Sequence, residues 1–177
     1  QSTGSRAIVV QDPLHDLAIR SQGRDTGAFS QLVARTQTGV FNLAYSILHN
    51  REEAEDLTQE VYLRVWRALP QFRGDSKFST WLYRVTTNLC LNRRRQLRAH
   101  LRVVDDNAVI ERIAAQEQGP VDAALEADQR KRVWTAVNCL PDKYRLAITL
   151  FYQEQLSYKE IACILSLPLG TVKCHLS

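Results

Sequence analysis

The chain has 177 residues, 45% of them hydrophobic and 24% charged, with a formal net charge of +4. That suffices for one ordinary domain or two small ones, is too apolar for a disordered chain, and permits an anionic partner without requiring one. No apolar run reaches the roughly 20 residues of a membrane span, the first residues show no secretory pattern, and four cysteines without a CxxC pair favour a reducing cytoplasm over a disulfide framework.

Residues 1–24 are weakly periodic and interrupted by Gly4, Pro13 and Gly23, which predicts a flexible arm with one short helix near Leu14–Ile19. From Asp25 to Leu48 the apolar residues Phe29, Leu32, Val33, Val40, Leu43, Ala44, Ile47 and Leu48 recur at helical spacing. Gly39 either separates two helices there or sits inside one at a cost of about 1 kcal/mol. Asn50 stands where a helix over about 52–69 needs a cap. The apolar face of that helix is Ala54, Leu57, Val61, Val65 and Leu69. Its early acids suit the positive end of the helix dipole. Asp56, Gln59 and Glu60 point away from the apolar face, as a solvated acidic surface or as a docking one.

Pro70 and Gly74 mark an exit and a turn, after which Ser76 or Ser79 can cap the next helix. Phe78, Trp81, Leu82, Val85 and Leu89 form its stripe, and Arg93, Arg94, Arg95 and Arg98, with His100 and Arg102, make its end basic. Cations suit a helix C-terminus, and beside an aromatic-bearing turn they also suit a phosphate backbone. Residues 103–124 are acidic and contain Gly119-Pro120, so they read as a linker with a short helix around Val109–Ala115.

A helix over 125–140 follows, with Val133, Trp134 and Val137 apolar, and Pro141 starts the next, which carries Tyr144, Leu146, Ala147, Ile148, Leu150 and Phe151. Ser157 and Glu160 form an S-x-x-E capping box. Ile161, Ala162 and Leu165 are the inward face behind it, Ser166–Pro168 is a tight turn, and Leu169, Val172 and Leu176 begin another inward face. Two short helices about such a turn are the helix-turn-helix pattern, whose second helix lies in the DNA major groove. Thr171, Lys173, Cys174, His175 and Ser177 then face DNA. The chain stops at Ser177 inside a helical pattern, and a continuation beyond it is expected.

The fold class is therefore all-α: two small helical domains joined by a linker, the second containing a helix-turn-helix. Boundaries fall at 1–24, 25–102, 103–124 and 125–177. There is no phosphate loop, no HExxH and no paired-carboxylate pattern, so no enzyme and no catalytic residue is expected. Cys163, Cys174 and His175 are poorly spaced for zinc, and neither a metal nor a cofactor is expected. Cys163 reads as a core thiol and Cys174 as an exposed one. A stand-alone helix-turn-helix repressor or activator explains Ser157–Ser177 equally well, but leaves Glu52–Arg98 without a role.

Two blocks carry a family resemblance. AEDLTQEVYLRVWRALPQFRGDSKFSTWLYRVTTNLCLNRRR, residues 54–95, resembles domain 2 of bacterial sigma-70-type factors of the extracytoplasmic-function group. LPDKYRLAITLFYQEQLSYKEIACILSLPLGTVKCHLS, residues 140–177, resembles their domain 4. The resemblance implies a promoter-specificity subunit of RNA polymerase. It places the polymerase-core contact on Asp56, Gln59, Glu60 and Arg64. It places capture of the melted −10 strand on the loop Pro70–Ser79 and its edge, with Arg73, Asp75, Lys77, Ser79, Trp81 and Arg84. Backbone contacts fall to Arg93, Arg94, Arg95 and Arg98, and −35 duplex reading to Thr171, Lys173, Cys174 and His175.

The implied partners are the polymerase core (beta-prime clamp and beta flap), promoter DNA and an anti-sigma factor, with no small-molecule substrate and no membrane insertion. Three departures from the family pattern bear on the −35 end. Pro168 stands where a capping Ser is common. Cys174-His175 replaces the usual Ser-Arg after GTVK, and the basic continuation beyond Ser177 is absent. Losing that arginine removes a strong guanine or phosphate binder, so weakened duplex affinity is expected.

Overall fold

The computed structural model describes residues 13–104, 133–137 and 139–177. The regular elements among them are all helical. The expected linker beyond Val104, its short helix, and the first part of the 125–140 helix lie outside the described residues.

The first helix, α1 (Pro13–Gln22), buries Leu17, Ala18 and Ser21 and packs chiefly on the next helix. The short helix expected near Leu14–Ile19 is present, longer than expected and docked on the bundle, while residues 1–12 lie outside the described residues. The apolar pair Leu17–Ala18 is too short to register as a periodic stripe, yet it is almost fully covered. Helix α2 (Thr26–Leu48) is capped by Asp25, whose carboxylate accepts from the Ala28 N–H at 2.9 Å. It runs unbroken through Gly39 and closes at His49 in the left-handed region. Helix α3 (Arg51–Ala68) is capped by Asn50 as expected, its side chain accepting from the Glu53 N–H at 3.0 Å. Ala54, Leu57, Val61 and Val65 are buried, and Leu69 follows them into the core at the start of a 3-10 turn, Leu69–Gln71.

Helix α4 (Phe78–Val104) begins one residue before Ser79. The capping position is therefore Lys77, whose carbonyl accepts from the Trp81 N–H at 3.2 Å, and neither serine caps this helix. The α2–α3–α4 bundle encloses Leu32, Leu43, Ile47, Leu57, Phe78 and Leu82. Full burial of a side chain of this kind contributes about 1.5–3 kcal/mol.

The second unit starts with helical residues 133–137, in which Val137 is buried and Val133 is exposed. Pro141 precedes α5 (Asp142–Ile148) by one residue, just outside the helix, and α5 passes into a π-type turn, Thr149–Gln153. Helix α6 (Tyr158–Leu165) has the expected capping box in both directions between Ser157 and Glu160. Its inward pair is Ile161 and Ile164, with Ala162 and Leu165 only partly buried, so the face is turned from the expected one. Cys163 is exposed, correcting the core-thiol reading. Two residues from Ile161 is about 200° around a helix, which carries Cys163 to the outer side. A left-handed Ser166 makes the turn into α7 (Leu169–Leu176), which buries Val172 and leaves Leu169 exposed. Pro168 caps α7 without a side-chain hydrogen bond, as the sequence implies. Among the described residues, no helix is long and apolar enough to cross a membrane.

Candidate nucleic-acid and partner interfaces

The outer face of α3 presents Asp56, Gln59 and Arg64, all exposed, and with them Leu63 at 61% exposure. Beside Gln59 and Leu63 opens a hollow of about 450 Å³ between α2 and α3, floored by Phe29, Tyr62 and Trp66. Phe29 and Trp66 lie 4.7 Å apart, and the Arg24 guanidinium sits 5.3 Å above the Trp66 ring. This apolar component was missed by sequence reading. Its signal was there: Leu63 and Trp66 are three residues apart and off the Ala54–Leu57–Val61–Val65 stripe, so they fall on the polar side. Glu60, the fourth candidate on α3, is half-buried and faces Arg93 of α4 at 3.0 Å.

The arginine cluster divides. Arg93 bridges Glu53 at 3.1 Å and Glu60 at 3.0 Å, strapping α4 to the acidic edge of α3. Arg94 reaches across to Asp142 at the start of α5. Arg95 and Arg98 are the exposed members. The sequence placed all four on DNA phosphates, whereas this arrangement holds two of them in ion pairs.

In the loop between α3 and α4, Arg73, Asp75 and Lys77 are exposed; within α4, Ser79 is half-buried and Arg84, in the second turn, is exposed. Trp81 is half-buried in an aromatic cluster, 5.2 Å from Phe72 and 5.8 Å from Phe78. The cluster stiffens the floor of the loop, since aromatic pairs add about 0.5–1.5 kcal/mol beyond their burial. The Lys77 ammonium lies 2.9 Å from the Glu160 carboxylate of α6.

That ion pair belongs to a seam between the two units. Helix α4 packs on α6, and α2 on α5 and the π-type turn. At the centre of the seam the Tyr83 hydroxyl donates to the Glu154 carboxylate, directly over Gly39. Burial pushes the Glu154 carboxyl above its ordinary range, partly offset by the Tyr83 hydrogen bond. At its edge Asp142 receives both Arg94 and the buried Arg145, which also donates to the Leu140 carbonyl at 2.9 Å. Partial burial would raise the Asp142 carboxyl, but the hydrogen bond and charge of Arg94, with those of Arg145, outweigh it and hold it low.

On α7, Lys173 and Cys174 are exposed, while Thr171 and His175 are half-buried. The His175 ring stands edge-on to Tyr144 at 4.9 Å, so it leans on α5. Cys90 is fully buried and burial lifts its thiol to about 12, which makes it inert. Among the described residues, no group of histidine, cysteine or acidic side chains is arranged to hold a metal.

Of the two all-α units, one closes in a helix-turn-helix and the other carries a basic helix end and an aromatic-floored loop. Comparison with known proteins gives the family. Residues 32–100 match Sigma-70 region 2, and residues 130–177 match Sigma-70, region 4. The chain is 35% identical over 158 residues to the ECF RNA polymerase sigma factor SigW of Bacillus subtilis, covering 86% of this chain and 84% of that one. It is 34% identical to the RNA polymerase sigma-H factor of Pseudomonas aeruginosa, covering 96% and 91%. The sigma factor RpoE of Bartonella quintana, solved in complex with the anti-sigma factor NepR, superposes with a TM-score of 0.66 at 26% identity, covering 84% and 89%. The chain belongs to the sigma-70 family of RNA polymerase sigma factors, in its extracytoplasmic-function group. It is a non-catalytic subunit that directs the polymerase core to promoters through regions 2 and 4, and the stand-alone repressor or activator reading falls away.

Proposed function

We propose that the α3 face docks on the beta-prime clamp of the polymerase core, with Asp56, Gln59 and Arg64 around Leu63 and the Trp66 hollow. Glu60 contributes by holding Arg93, which fixes α4 against α3. The loop between α3 and α4, with Arg73, Asp75 and Lys77, and the first turns of α4, with Ser79, Trp81 and Arg84, capture the melted −10 strand. Extruding a base costs a few kcal/mol, which stacking and cationic contacts recover in part. Arg95 and Arg98 meet phosphates directly; Arg93 and Arg94 are second-rank contacts, since each already serves a carboxylate. Helix α7 reads the −35 duplex through Lys173 and Cys174, with Thr171 and His175 at the margin, and its unit sits near the beta flap.

The boundaries 25–102 and 125–177 describe the two working units, with α1 added to the first. Lys77 and Arg94 are both paired to the second unit here, so engaging DNA with them requires the seam to part. Similarity to a sigma factor solved with an anti-sigma factor supports a partner of that type, and the site of action is the cytoplasm, with the polymerase.

The observation that carries this reading is the exposed α3 face, where Leu63 and the aromatic hollow lie open beside unpaired polar groups. Reconstituted transcription with core polymerase on a pool of genomic fragments tests it. Asp56→Arg is expected to weaken core binding roughly tenfold or more, because reversing one close charge pair shifts binding by at least 1–2 kcal/mol. Trp81→Ala is expected to keep core binding and impair strand opening. Initiation independent of the chain, or core affinity indifferent to Asp56→Arg and to Leu63→Ala together, counts against it.

A further inference from the structure

Helix α1 lies outside the residues matched to region 2, which begin at 32. It nevertheless touches the loop at three points. The Gln22 side-chain amide donates to the Leu69 carbonyl at 3.1 Å and to the Phe72 carbonyl at 2.6 Å. Those two carbonyls bracket the 3-10 turn through which the chain leaves α3. The His15 ring stands edge-on to Phe72 at 5.9 Å. Gly74 follows with φ +76, and a Cβ there would sit 3.0 Å from His15 Cε1. A side chain at 74 is thus opposed twice, by the left-handed backbone and by α1 itself.

These contacts lead to the DNA-facing groups. Phe72 is buried and packs against both Phe78 and Trp81, at 5.8 and 5.2 Å. Gly74 lies between Arg73 and Asp75. The position of α1 is in turn fixed from below. Leu17 and Ala18 are buried, the Ser21 hydroxyl donates to the Leu17 carbonyl at 2.7 Å, and Arg20 pairs with Asp25, the cap of α2, at 2.8 Å. The Leu69 carbonyl also accepts from the Phe72 N–H at 3.0 Å, so Gln22 is its second donor, and the same amide supplies a donor to the Phe72 carbonyl.

We propose that α1 is a positioning element for the strand-capture loop: Gln22 fixes the loop's start through the Leu69 and Phe72 carbonyls, and His15 seats Phe72 and Gly74. This rests on the reading of the loop given above. Gln22 touches no DNA in this scheme and acts through Phe72 and Trp81. Because one amide nitrogen makes both bonds, the requirement is for donation alone. An acceptor at position 22 would face two carbonyls and repel them.

The test uses the full chain with core polymerase on the strongest promoter fragment recovered from the genomic pool. Core affinity and permanganate reactivity of thymines in the opened strand are read for each variant. Gln22→Leu is expected to leave core affinity within about twofold and to lower opening roughly tenfold, the scale of two lost hydrogen bonds partly transmitted. Gln22→Lys restores donation and is expected to recover opening to within about threefold, whereas Gln22→Glu is expected to be as poor as leucine. Repeating the series at two salt concentrations separates donation by lysine from general attraction to DNA. Wild-type opening by Gln22→Leu, while Trp81→Ala fails to open, overturns the role of α1 and leaves strand capture by the loop intact. Equal loss of core affinity and opening shows a merely structural role and also overturns it. If Trp81→Ala and Lys77→Ala open the promoter as wild type does, the loop reading itself falls and takes this inference with it.

Discussion

Gly39→Ala is expected to part the two halves of the protein without harming the first. A Cβ at position 39 would clash with the Tyr83 hydroxyl and a Glu154 carboxylate oxygen, and would lie 3.0 Å from Glu154 Cδ. Those atoms are the central contact of the seam. Tyr83 is buried, so Glu154 is the group that must yield, and with it the π-type turn that ends beside it. Within α2 the same substitution is favourable by about 1 kcal/mol, since glycine is a poor helix former. The two effects therefore have opposite signs in different places. Small-angle scattering of Gly39→Ala should show a larger radius of gyration than wild type, while the thermal midpoint of the first unit holds or rises. An unchanged scattering profile would mean that the units stay closed without the Tyr83–Glu154 contact.

Phe78→Ala is expected to cost about 3–5 kcal/mol, a large share of the 5–15 kcal/mol typical of a whole domain. Phe78 is fully buried at the first position of α4 and supports both Phe72 and Trp81. Truncation leaves a cavity under the loop and removes the ring that Phe72 and Trp81 pack against. Denaturant titration followed by tryptophan fluorescence measures the loss. Tyr152→Ala supplies the contrast: its ring is 58% exposed, and its removal should change stability by no more than about 0.5 kcal/mol. Equal effects from the two substitutions would show that the Phe72–Phe78–Trp81 cluster is not part of the cooperative core.

Both predictions depend on contacts of different sequence legibility. Phe78 stood out as the head of an apolar stripe, as did Leu57, Val61 and Val65 on α3. Periodicity reports which face of a helix is apolar, and local hydrogen-bonding chemistry reports where a helix starts, so Asn50 and the Ser157–Glu160 box could also be read directly. Neither signal says what a face packs against. Gly39 therefore left two alternatives open, because the reason for a glycine there lies in Tyr83 and Glu154, far along the chain. The family resemblance put Arg93 and Arg94 on phosphates; the carboxylates of Glu53, Glu60 and Asp142 that hold them are distant in sequence. In short helices one residue decides the face. Ile164 took the place expected for Leu165 on α6, and Cys163 turned outward with that shift.

The central contact of the seam is shared between the two units: Gly39 and Tyr83 lie in the first, Glu154 in the second. A chimaera whose second unit lacks a carboxylate at the position of Glu154 leaves its seat beside Tyr83 empty, and one whose first unit carries a side chain at position 39 obstructs it. The closed arrangement therefore depends on residues written in two distant halves of the chain, and a change at any one of the three positions is felt by the other two.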